Sequence, residues 1–322
     1  MAAVNYSLIV PVYKNEGSIP RLVQVVSEVN AQLNGLLEAV FVVDGSPDES
    51  FARLREALAT QDFSGQLLVH SRNFGSFPAI RTGLAAARGR LFAVMAADLQ
   101  EPPSLPVAMF RALEADECDV VLGARLSRAD PWSSRLTASL FWWMYRRLIV
   151  KDIPRGGVDV FGCNDAFRLQ LLRLEESRSS LVALIFWLGF RRKLIEYHRL
   201  SRQEGKSAWT FRRKMGYLAD SVFGFTDLPI KLLLSIGIIA VGTSFFLGLA
   251  VLVAKLSGWI AVPGYAATML AVLFFGALNI LGLGLVGAYV WRTYENSKQR
   301  PLAVVAMKLD FPNKQREQQS GR

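Results

Sequence analysis

Cysteine and histidine are scarce in this chain of 322 residues. It has two of each, and neither cysteine lies in a CxxC pair or near a histidine at metal-ligand spacing. We interpret Cys118 and Cys163 as buried apolar thiols in a reducing compartment. His70 and His198 also lack partner spacing and are interpreted as structural residues.

A signal peptide is also lacking. The N-terminal segment MAAVNYSLIVPVY has no basic residue before its apolar run. We therefore expect the N-terminal domain to remain in the cytoplasm.

Charged residues are absent from two long stretches near the C-terminus. None occurs between Lys231 and Lys255 or between Lys255 and Arg292. A helix needs roughly 20 apolar residues to cross about 30 Å of hydrocarbon, so Leu232–Ala254 and Tyr265–Val290 predict two membrane spans. Basic residues flank the outer ends of both, and the connecting loop has only Lys255. The positive-inside rule then predicts that both termini are cytoplasmic.

The second span contains a GxGxxG match at residues 282–287. It lies inside an uncharged helix and does not follow a strand, so it does not indicate a dinucleotide site. Small residues allow close helix packing. We expect Gly276, Gly284 and Ala288 to contact the first span or another subunit.

The net charge of +10 predicts an anionic partner. The cations cluster around the membrane segments and the predicted strand ends, which argues against nucleic acid. An acidic membrane surface and a phosphorylated substrate both remain open.

The first 125 residues alternate between apolar runs and helical periodicity, which predicts an α/β fold with a mostly parallel sheet covered on both faces. The predicted strands are Ser7–Val12, Ala39–Val43, Gln66–His70, Leu91–Ala97 and Asp119–Gly123. The predicted helices are Ser18–Leu33, with Ser18 as N-cap, Phe51–Leu58, Pro78–Ala87 and Leu105–Ala115.

Polar or turn-forming residues follow each predicted strand, at the edge where such sheets bind ligands. They are Pro11 and Tyr13, Asp44, Arg72 and Asn73, Asp98 and Gln100, and Arg125. Asp44 either forms a turn with its own backbone or contacts a base or ribose. Asp98 is either an N-cap or ion-pair residue, or a ligand of a divalent cation that bridges a diphosphate.

Four segments in this order resemble family 2 glycosyltransferases of the GT-A fold. They are residues 10–13 (VPVY), 43–48 (VDGSPD), 72–75 (RNFG) and 97–103 (ADLQEPP). The resemblance is greatest to polyprenyl-phosphate glycosyltransferases, which include dolichol-phosphate mannose synthases and undecaprenyl-phosphate sugar transferases. It extends from about Leu8 to the end of the second span.

The resemblance implies an inverting transfer from a UDP- or GDP-sugar to a polyprenyl phosphate, helped by Mg²⁺ or Mn²⁺. It also implies a multi-pass protein of the bacterial inner membrane, often tetrameric. Asp98 and Gln100 would lie at the metal and diphosphate, and Asp159 would act near the acceptor as a base or as an orienting group. A structural ion pair is the alternative for Asp159. The other substrate-binding candidates are Pro11, Tyr13, Glu16, Asp44, Arg72, Asn73, Arg125, Arg128, Arg199, Arg202, Lys206 and Ser207.

Two positions depart from the family pattern. Val43 replaces the first acidic residue of VDDGS, and Ala96 replaces the first aspartate of DAD. Glu101 is a candidate to take over part of the metal site. The departures keep open a second hypothesis, a catalytically weak or inactive membrane scaffold or nucleotide-sugar sensor. A processive polysaccharide synthase is not favoured, because the chain lacks a QxxRW motif and has too few spans.

The predicted organisation has four parts: a glycosyltransferase domain over 1–208, an amphipathic juxtamembrane helix over 209–227, two transmembrane helices over 228–291 and a basic cytoplasmic tail over 292–322. A further interfacial helix, or a core helix, is expected over Leu140–Arg147. We expect the tail to be disordered from about Lys308.

Overall fold

A computed structural model describes residues 4–125, 145–147, 153–154, 158–176, 179–200, 211–257 and 264–313. The chain forms two compact units. One comprises residues 1–214 and 300–322, and the other comprises residues 215–299.

The first unit is an α/β domain built on one sheet. Its described strands are β1 (Tyr6–Val12), β2 (Leu37–Val43), β3 (Ser64–His70), β4 (Leu91–Val94), β5 (Val120–Arg125), β6 (Val158–Asn164), β7 (Arg192–Tyr197) and β8 (Val305–Phe311). Its described helices are α1 (Ile19–Gln32), α2 (Ser50–Leu58), α3 (Ser76–Ala86), α4 (Ser104–Glu114), α5 (Asp165–Arg173) and α6 (Leu181–Trp187). The predicted alternation of strands and helices is confirmed.

The central strands form because their apolar runs are covered on both faces. All seven residues of β2 are buried, as parallel sheets between helix layers require. Pro20 lies in the first turn of α1, where its missing N–H is not needed. Ser18 is the N-cap residue as predicted, but its hydroxyl does not cap the helix. It donates instead to the Ala97 carbonyl, 2.8 Å away, beyond β4.

The order of the sheet is β7-β5-β6-β4-β1-β2-β3-β8. β6 is antiparallel to β4 and β5, and β8 is antiparallel to β3, whereas the other neighbouring pairs are parallel. The C-terminal ends of β1 to β5 and of β7 therefore share one edge. The N-terminal end of β6 lies at the same edge because that strand runs in the opposite direction.

Strand β8 corrects the expectation of a disordered tail. Lys308–Phe311 lies in β8, which pairs with residues 65–70 of β3. Leu309 and Phe311 pack against the core. The pairing satisfies an otherwise open strand edge, which favours order despite the charged composition. Residues 314–322 lie outside the described part.

The second unit is helical. It contains α8 (Leu228–Leu256), α9 (Tyr265–Ser297) and most of α7 (Phe211–Phe225). α8 and α9 are long and apolar enough to cross a membrane. Near its end α9 joins α7 through Arg292, which donates to Asp220 at 2.7 Å. The predicted membrane-surface position of α7 stays a prediction.

The glycines of α9 make few close contacts with the described residues of this unit. A Cβ added at Gly282 would meet Leu233 of α8 at 3.8 Å, whereas at Gly276 or Gly284 it would meet nothing within 4 Å. Among the described residues, the expected packing of Gly276 and Gly284 on the first span is therefore not seen. Contact with another subunit, and the predicted tetramer, stay predictions.

Candidate active site

The site is built where the parallel strands end. β2 and β3 are in register at Val43 and Val69, so the next residues along each strand, Asp44 and His70, become neighbours. Asp44 also donates its backbone N–H to the Val12 carbonyl at the end of β1, 2.9 Å away. Three strand ends thus meet at Asp44.

The Asp44 carboxylate is buried and holds a loop through three hydrogen bonds. Oδ1 accepts from the Phe74 backbone N–H and from His70 Nδ1, and Oδ2 accepts from the Gly75 backbone N–H, each at 2.8 Å. Both oxygens thus stabilise Phe74 and Gly75, just before α3. A carboxylate offers about four lone-pair sites, so one acceptor site remains for a ligand. Contact of Asp44 with a nucleotide stays a prediction.

The backbone of the Asp44 turn packs directly on the same loop. Gly45 has φ +57°, and a Cβ added there would lie 2.2 Å from the Arg72 carbonyl carbon. Only glycine fits both the dihedral angle and the space. Asn73 Nδ2 also donates to the Asp44 carbonyl, at 3.2 Å. Arg72 is exposed, and its guanidinium carbon lies 4.1 Å from the centroid of the Phe74 ring. A cation is therefore presented on a firmly held loop.

The loop after β1 is tied to the turn after β2. Lys14, with φ +56°, donates its backbone N–H to Ser46 Oγ at 2.8 Å. Glu16 Oε2 accepts from the Glu49 backbone N–H at 2.9 Å. The Glu16 carboxylate therefore holds the start of α2. Its contact with substrate stays a prediction. Pro11 and Tyr13 are half-buried beside this loop.

Asp48 holds these two loops together. It accepts from Ser46 Oγ at 2.5 Å and from the Glu16 backbone N–H at 3.1 Å. Burial alone would raise the pKa of Asp48, but hydrogen bonds from Ser46, Ser50 and the Glu16 backbone outweigh it and hold the pKa below its usual range. Asp48 is therefore ionised whenever the site is assembled at neutral pH.

The segment after β4 carries the candidate metal ligand. β4 ends at Val94, earlier than predicted, and the chain continues as a loop through half-buried Asp98. Leu99 adopts φ +54°, a conformation that costs a non-glycine residue roughly 1–2 kcal/mol. Buried Glu101 accepts from the Ala96 backbone N–H at 3.3 Å. Glu101 therefore lies next to the position where the family pattern has its missing aspartate.

Gln100 connects this loop to Arg199 and Leu200, which follow β7. Its side-chain oxygen accepts from Arg199 Nη2, and its carbonyl accepts from the Leu200 backbone N–H at 2.9 Å. The structure thus brings together Gln100 and Arg199, which the sequence predicted separately. In this arrangement the Gln100 oxygen binds a cationic side chain, and its role as a metal ligand stays a prediction.

The predicted acceptor side shares this edge. Arg125 pairs with Tyr197 at the end of β7, and Ala124 pairs with Val158 at the start of β6. The backbone of Asp159 therefore lies beside the end of β5. The Asp159 side chain is outside the described part, as are Arg128, Arg202, Lys206 and Ser207. The described residues 145–147 include Tyr145, which is fully buried and lies 2.9 Å from Ser180 Oγ, as expected of a core residue.

A divalent cation at the loop after β4 stays a prediction. Among the described residues, no group of three or more His, Cys, Asp or Glu is placed to hold a metal ion. Mg²⁺ takes only one or two carboxylates and completes its shell with phosphate oxygens and water. Asp98 would hold such an ion, with Gln100 or Glu101 as further oxygen donors.

His70 contacts the candidate site, and sequence reasoning did not predict this contact. Interpreted as structural for lack of partner spacing, it is fully buried and bonded to Asp44. The signal was present in the strand order. Adjacent parallel strands whose apolar runs end at Val43 and Val69 place the following residues side by side. Both cysteines are free and buried, as predicted.

Comparison with known proteins identifies the family. Residues 7–174, just over half of the chain, match the family described as glycosyl transferase family 2. The chain belongs to this family and is a glycosyltransferase.

Relatives match along nearly the whole chain, including the two apolar helices. A glycosyltransferase of Bacillus subtilis, YkcC, is 31% identical over 97% of this chain and 96% of its own length. The bactoprenol glucosyl transferase of Shigella phage SfV is 28% identical over 93% of this chain and 97% of that protein. A homologue of that enzyme from an Escherichia coli prophage is 27% identical, over 93% and 97%.

Solved structures with a similar fold include glucosyl-3-phosphoglycerate synthase from Mycobacterium tuberculosis. It is 15% identical, covers 69% of this chain and 78% of its own, and has a TM-score of 0.45.

Proposed function

We propose that this glycosyltransferase moves a sugar from a nucleoside-diphosphate sugar to the phosphate of a polyprenyl lipid at a membrane surface. One observation carries the proposal. Arg72, the Asp98 carboxylate and the Gln100–Arg199 pair all lie at one edge of the sheet. The same chain also has two helices that are able to cross a membrane. Relatives named bactoprenol glucosyl transferase support the lipid acceptor.

The residues divide into a donor side and an acceptor side. Arg72 and Asn73 would bind the donor diphosphate, because an arginine pairs with phosphate oxygens bidentately. Pro11, Tyr13 and Asp44 would contact the nucleoside. Arg125, Arg128, Arg199, Arg202, Lys206 and Ser207 would bind the lipid phosphate. A divalent cation held by Asp98 would neutralise charge on the departing diphosphate.

The reaction would be a single displacement. An oxygen of the lipid phosphate forms a bond to the anomeric carbon of the sugar. The bond from that carbon to the donor diphosphate breaks, and its electron pair leaves with the nucleoside diphosphate. The configuration at the anomeric carbon is inverted. The second pKa of a phosphate monoester is about 6, so the attacking oxygen is already ionised near neutral pH. Asp159 would then orient the acceptor and would not need to remove a proton.

Strand β8 supports the predicted orientation in the membrane. The chain leaves the first unit before α8 and returns to it after α9, where Val305–Phe311 joins the sheet. Segments that precede α8 and follow α9 thus belong to one sheet, and segments of one sheet lie on the same side of a membrane. With the basic flanks, this favours a cytoplasmic catalytic domain and cytoplasmic termini in a bacterial inner membrane.

The test is nucleotide release by the detergent-purified protein. It is offered undecaprenyl phosphate, a panel of UDP- and GDP-sugars, and Mg²⁺, Mn²⁺ or a chelator. Release of UDP or GDP that requires both one sugar donor and the lipid is the expected result, and the chelator reaction tests the metal.

Two control reactions show whether nucleotide release depends on the lipid and on its polyprenyl chain. Reactions without lipid report hydrolysis of the donor, and dodecyl phosphate tests whether the polyprenyl chain is recognised. Nucleotide binding with no release from any donor would contradict the proposal and favour the sensor hypothesis raised by Val43 and Ala96.

A further inference from the structure

We infer that His70 is a positioning residue for the donor. It fixes the Asp44 carboxylate and, through the Phe74 ring, supports the exposed guanidinium of Arg72. This inference rests on the proposed function only for the identity of the ligand, a nucleoside diphosphate.

The first part of the argument is the hydrogen-bonded chain Thr82–His70–Asp44. The His70 side chain is fully buried, with Nδ1 2.8 Å from Asp44 Oδ1 and Nε2 2.9 Å from Thr82 Oγ1. Because a carboxylate accepts hydrogen bonds, the contact with Asp44 assigns the N–H to Nδ1, which donates the hydrogen bond to Oδ1. Because both ring nitrogens have partners, the imidazole is held in one orientation.

The second part is what Asp44 does with its remaining bonds. Its oxygens accept from the backbone N–H groups of Phe74 and Gly75, so the carboxylate connects His70 to the loop that follows Arg72. Oδ2 has only the Gly75 bond from the described residues. The bond from His70 to Oδ1 stops the carboxylate from rotating and so keeps the second site of Oδ2 in one direction.

The third part is a stack of side chains that runs from the interior to the surface. The rings of His70 and Phe74 meet edge to face, with centroids 5.5 Å apart and planes at 88°. The Arg72 guanidinium covers the same Phe74 ring at 4.1 Å. His70 is therefore the buried base of the stack that presents Arg72. Loss of the imidazole would loosen both the carboxylate and the cation.

The order hydroxyl, imidazole, carboxylate is also that of a nucleophilic triad. The surroundings favour positioning instead. The other bonds of the carboxylate all go to the loop next to Arg72, and the imidazole that would relay a proton is enclosed on every side.

The experiment compares His70→Leu, His70→Asn and Thr82→Val in the full-length, detergent-purified protein. Asparagine retains an N–H near the position of Nδ1, whereas leucine fills similar space without a donor. The control is Thr60→Val, which removes an exposed hydroxyl that bonds only locally to the Ala57 carbonyl. The measurements are UDP and GDP binding, the KM for donor and for lipid, and the thermal unfolding midpoint.

The expected result is selective for the donor. His70→Leu should weaken nucleotide binding and raise the donor KM by about tenfold, on the order of one hydrogen bond to a charged group, because Asp44 and Arg72 would both lose their support. The lipid KM should stay within about twofold, and His70→Asn should recover most of the donor affinity. Thr82→Val should show a smaller defect of the same kind, and Thr60→Val none.

Several outcomes would overturn the inference. One is a lower unfolding midpoint in His70→Leu with unchanged nucleotide affinity in the folded protein, which is the result of a purely structural role. Another is an equal rise in donor and lipid KM. If the wild type binds a nucleotide but transfers no sugar, the proposed function fails while nucleotide binding still tests His70. A wild type that binds neither nucleotide overturns both.

Discussion

Gly45 and Arg72 lie backbone against backbone at the ends of neighbouring strands. A Cβ at Gly45 would lie 2.2 Å from the carbonyl carbon of Arg72 and 2.4 Å from the Asn73 nitrogen. This contact fixes the distance between the turn after β2 and the cationic loop after β3. The contact requires glycine at position 45, because any Cβ there would overlap the backbone of Arg72 and Asn73.

Gly45→Ala should therefore displace the Arg72 loop. The new methyl group meets backbone atoms, which cannot move aside as a side-chain end can, and the positive φ adds roughly 1–2 kcal/mol of strain. We expect nucleotide affinity to fall by about tenfold or more, by analogy with the loss of a charged hydrogen bond. Isothermal titration with UDP or GDP measures this.

Gly65→Ala is the matched control in the same sheet, because its added Cβ would meet Leu58 at 3.5 Å, an ordinary contact. Equal affinities for nucleotide in the two variants would show that the close approach at Gly45 has no role in binding.

Asp48→Asn should change how stability depends on pH. The folded-state pKa of Asp48 is lowered by its hydrogen bonds, so ionised Asp48 stabilises the fold above the ordinary carboxyl pKa of about 3.9. That contribution is lost as the pH falls through the lower, folded-state pKa. The unfolding midpoints of wild type and variant should differ near neutral pH and converge in acid. A constant difference across the whole pH range would contradict this account.

Arg88→Ala should destabilise the protein at the end of the sheet that lies away from the candidate site. Glu38 is fully buried at the start of β2, and Arg88 Nε donates to it at 2.9 Å while Nη1 lies 3.4 Å from Asp310 of β8. Removing a donor from a buried carboxylate costs about 1–3 kcal/mol, although Arg88 itself is partly exposed.

We expect a lower unfolding midpoint for Arg88→Ala and no change for Arg90→Ala, which alters an exposed arginine nearby. Nucleotide affinity should stay the same in both variants, because this cluster lies at the N-terminal ends of the strands. A loss of affinity without a loss of stability would be inconsistent with that placement.

Cysteine labelling tests the proposed membrane orientation. Ser257→Cys places a thiol at the end of α8 and Ser297→Cys places one at the end of α9, and both native cysteines are buried. A membrane-impermeant maleimide added to intact cells should label the first variant and not the second. Both should be labelled after the cells are opened. Labelling of Ser297→Cys in intact cells would contradict the proposed orientation and would place the end of α9 outside the cytoplasm.

The central strands were predictable because their apolar runs are uninterrupted. β1 was expected at Ser7–Val12 and begins one residue earlier, at Tyr6. The two apolar helices were predictable for the same reason, since length and absence of charge decide them. Polar residues at the strand ends could also be found, because a parallel sheet gathers its C-terminal ends at one edge.

What the sequence did not predict depends on long-range pairing. β8 mixes exposed apolar and charged residues and forms a strand only because β3 offers it an open edge. The partnership of His70 with Asp44 required knowledge that β2 and β3 are neighbours and in register. Asp48 belongs to the VDGSPD segment, but its hydrogen bond to the loop after β1 could not be predicted from that segment.

The most direct test of the account is transfer of radiolabelled sugar from the nucleotide donor to undecaprenyl phosphate by Asp98→Asn. The control is Asp116→Asn, which removes an exposed carboxylate paired with Arg191 away from the site. The account predicts that wild type and Asp116→Asn form labelled lipid at similar rates. Asp98→Asn should lose at least about a hundredfold, comparable to the removal of one strong electrostatic contact from an active site, while it folds and enters the membrane normally. Full activity of Asp98→Asn would remove this residue from the mechanism, and absence of labelled lipid with the wild type would contradict the proposed reaction itself.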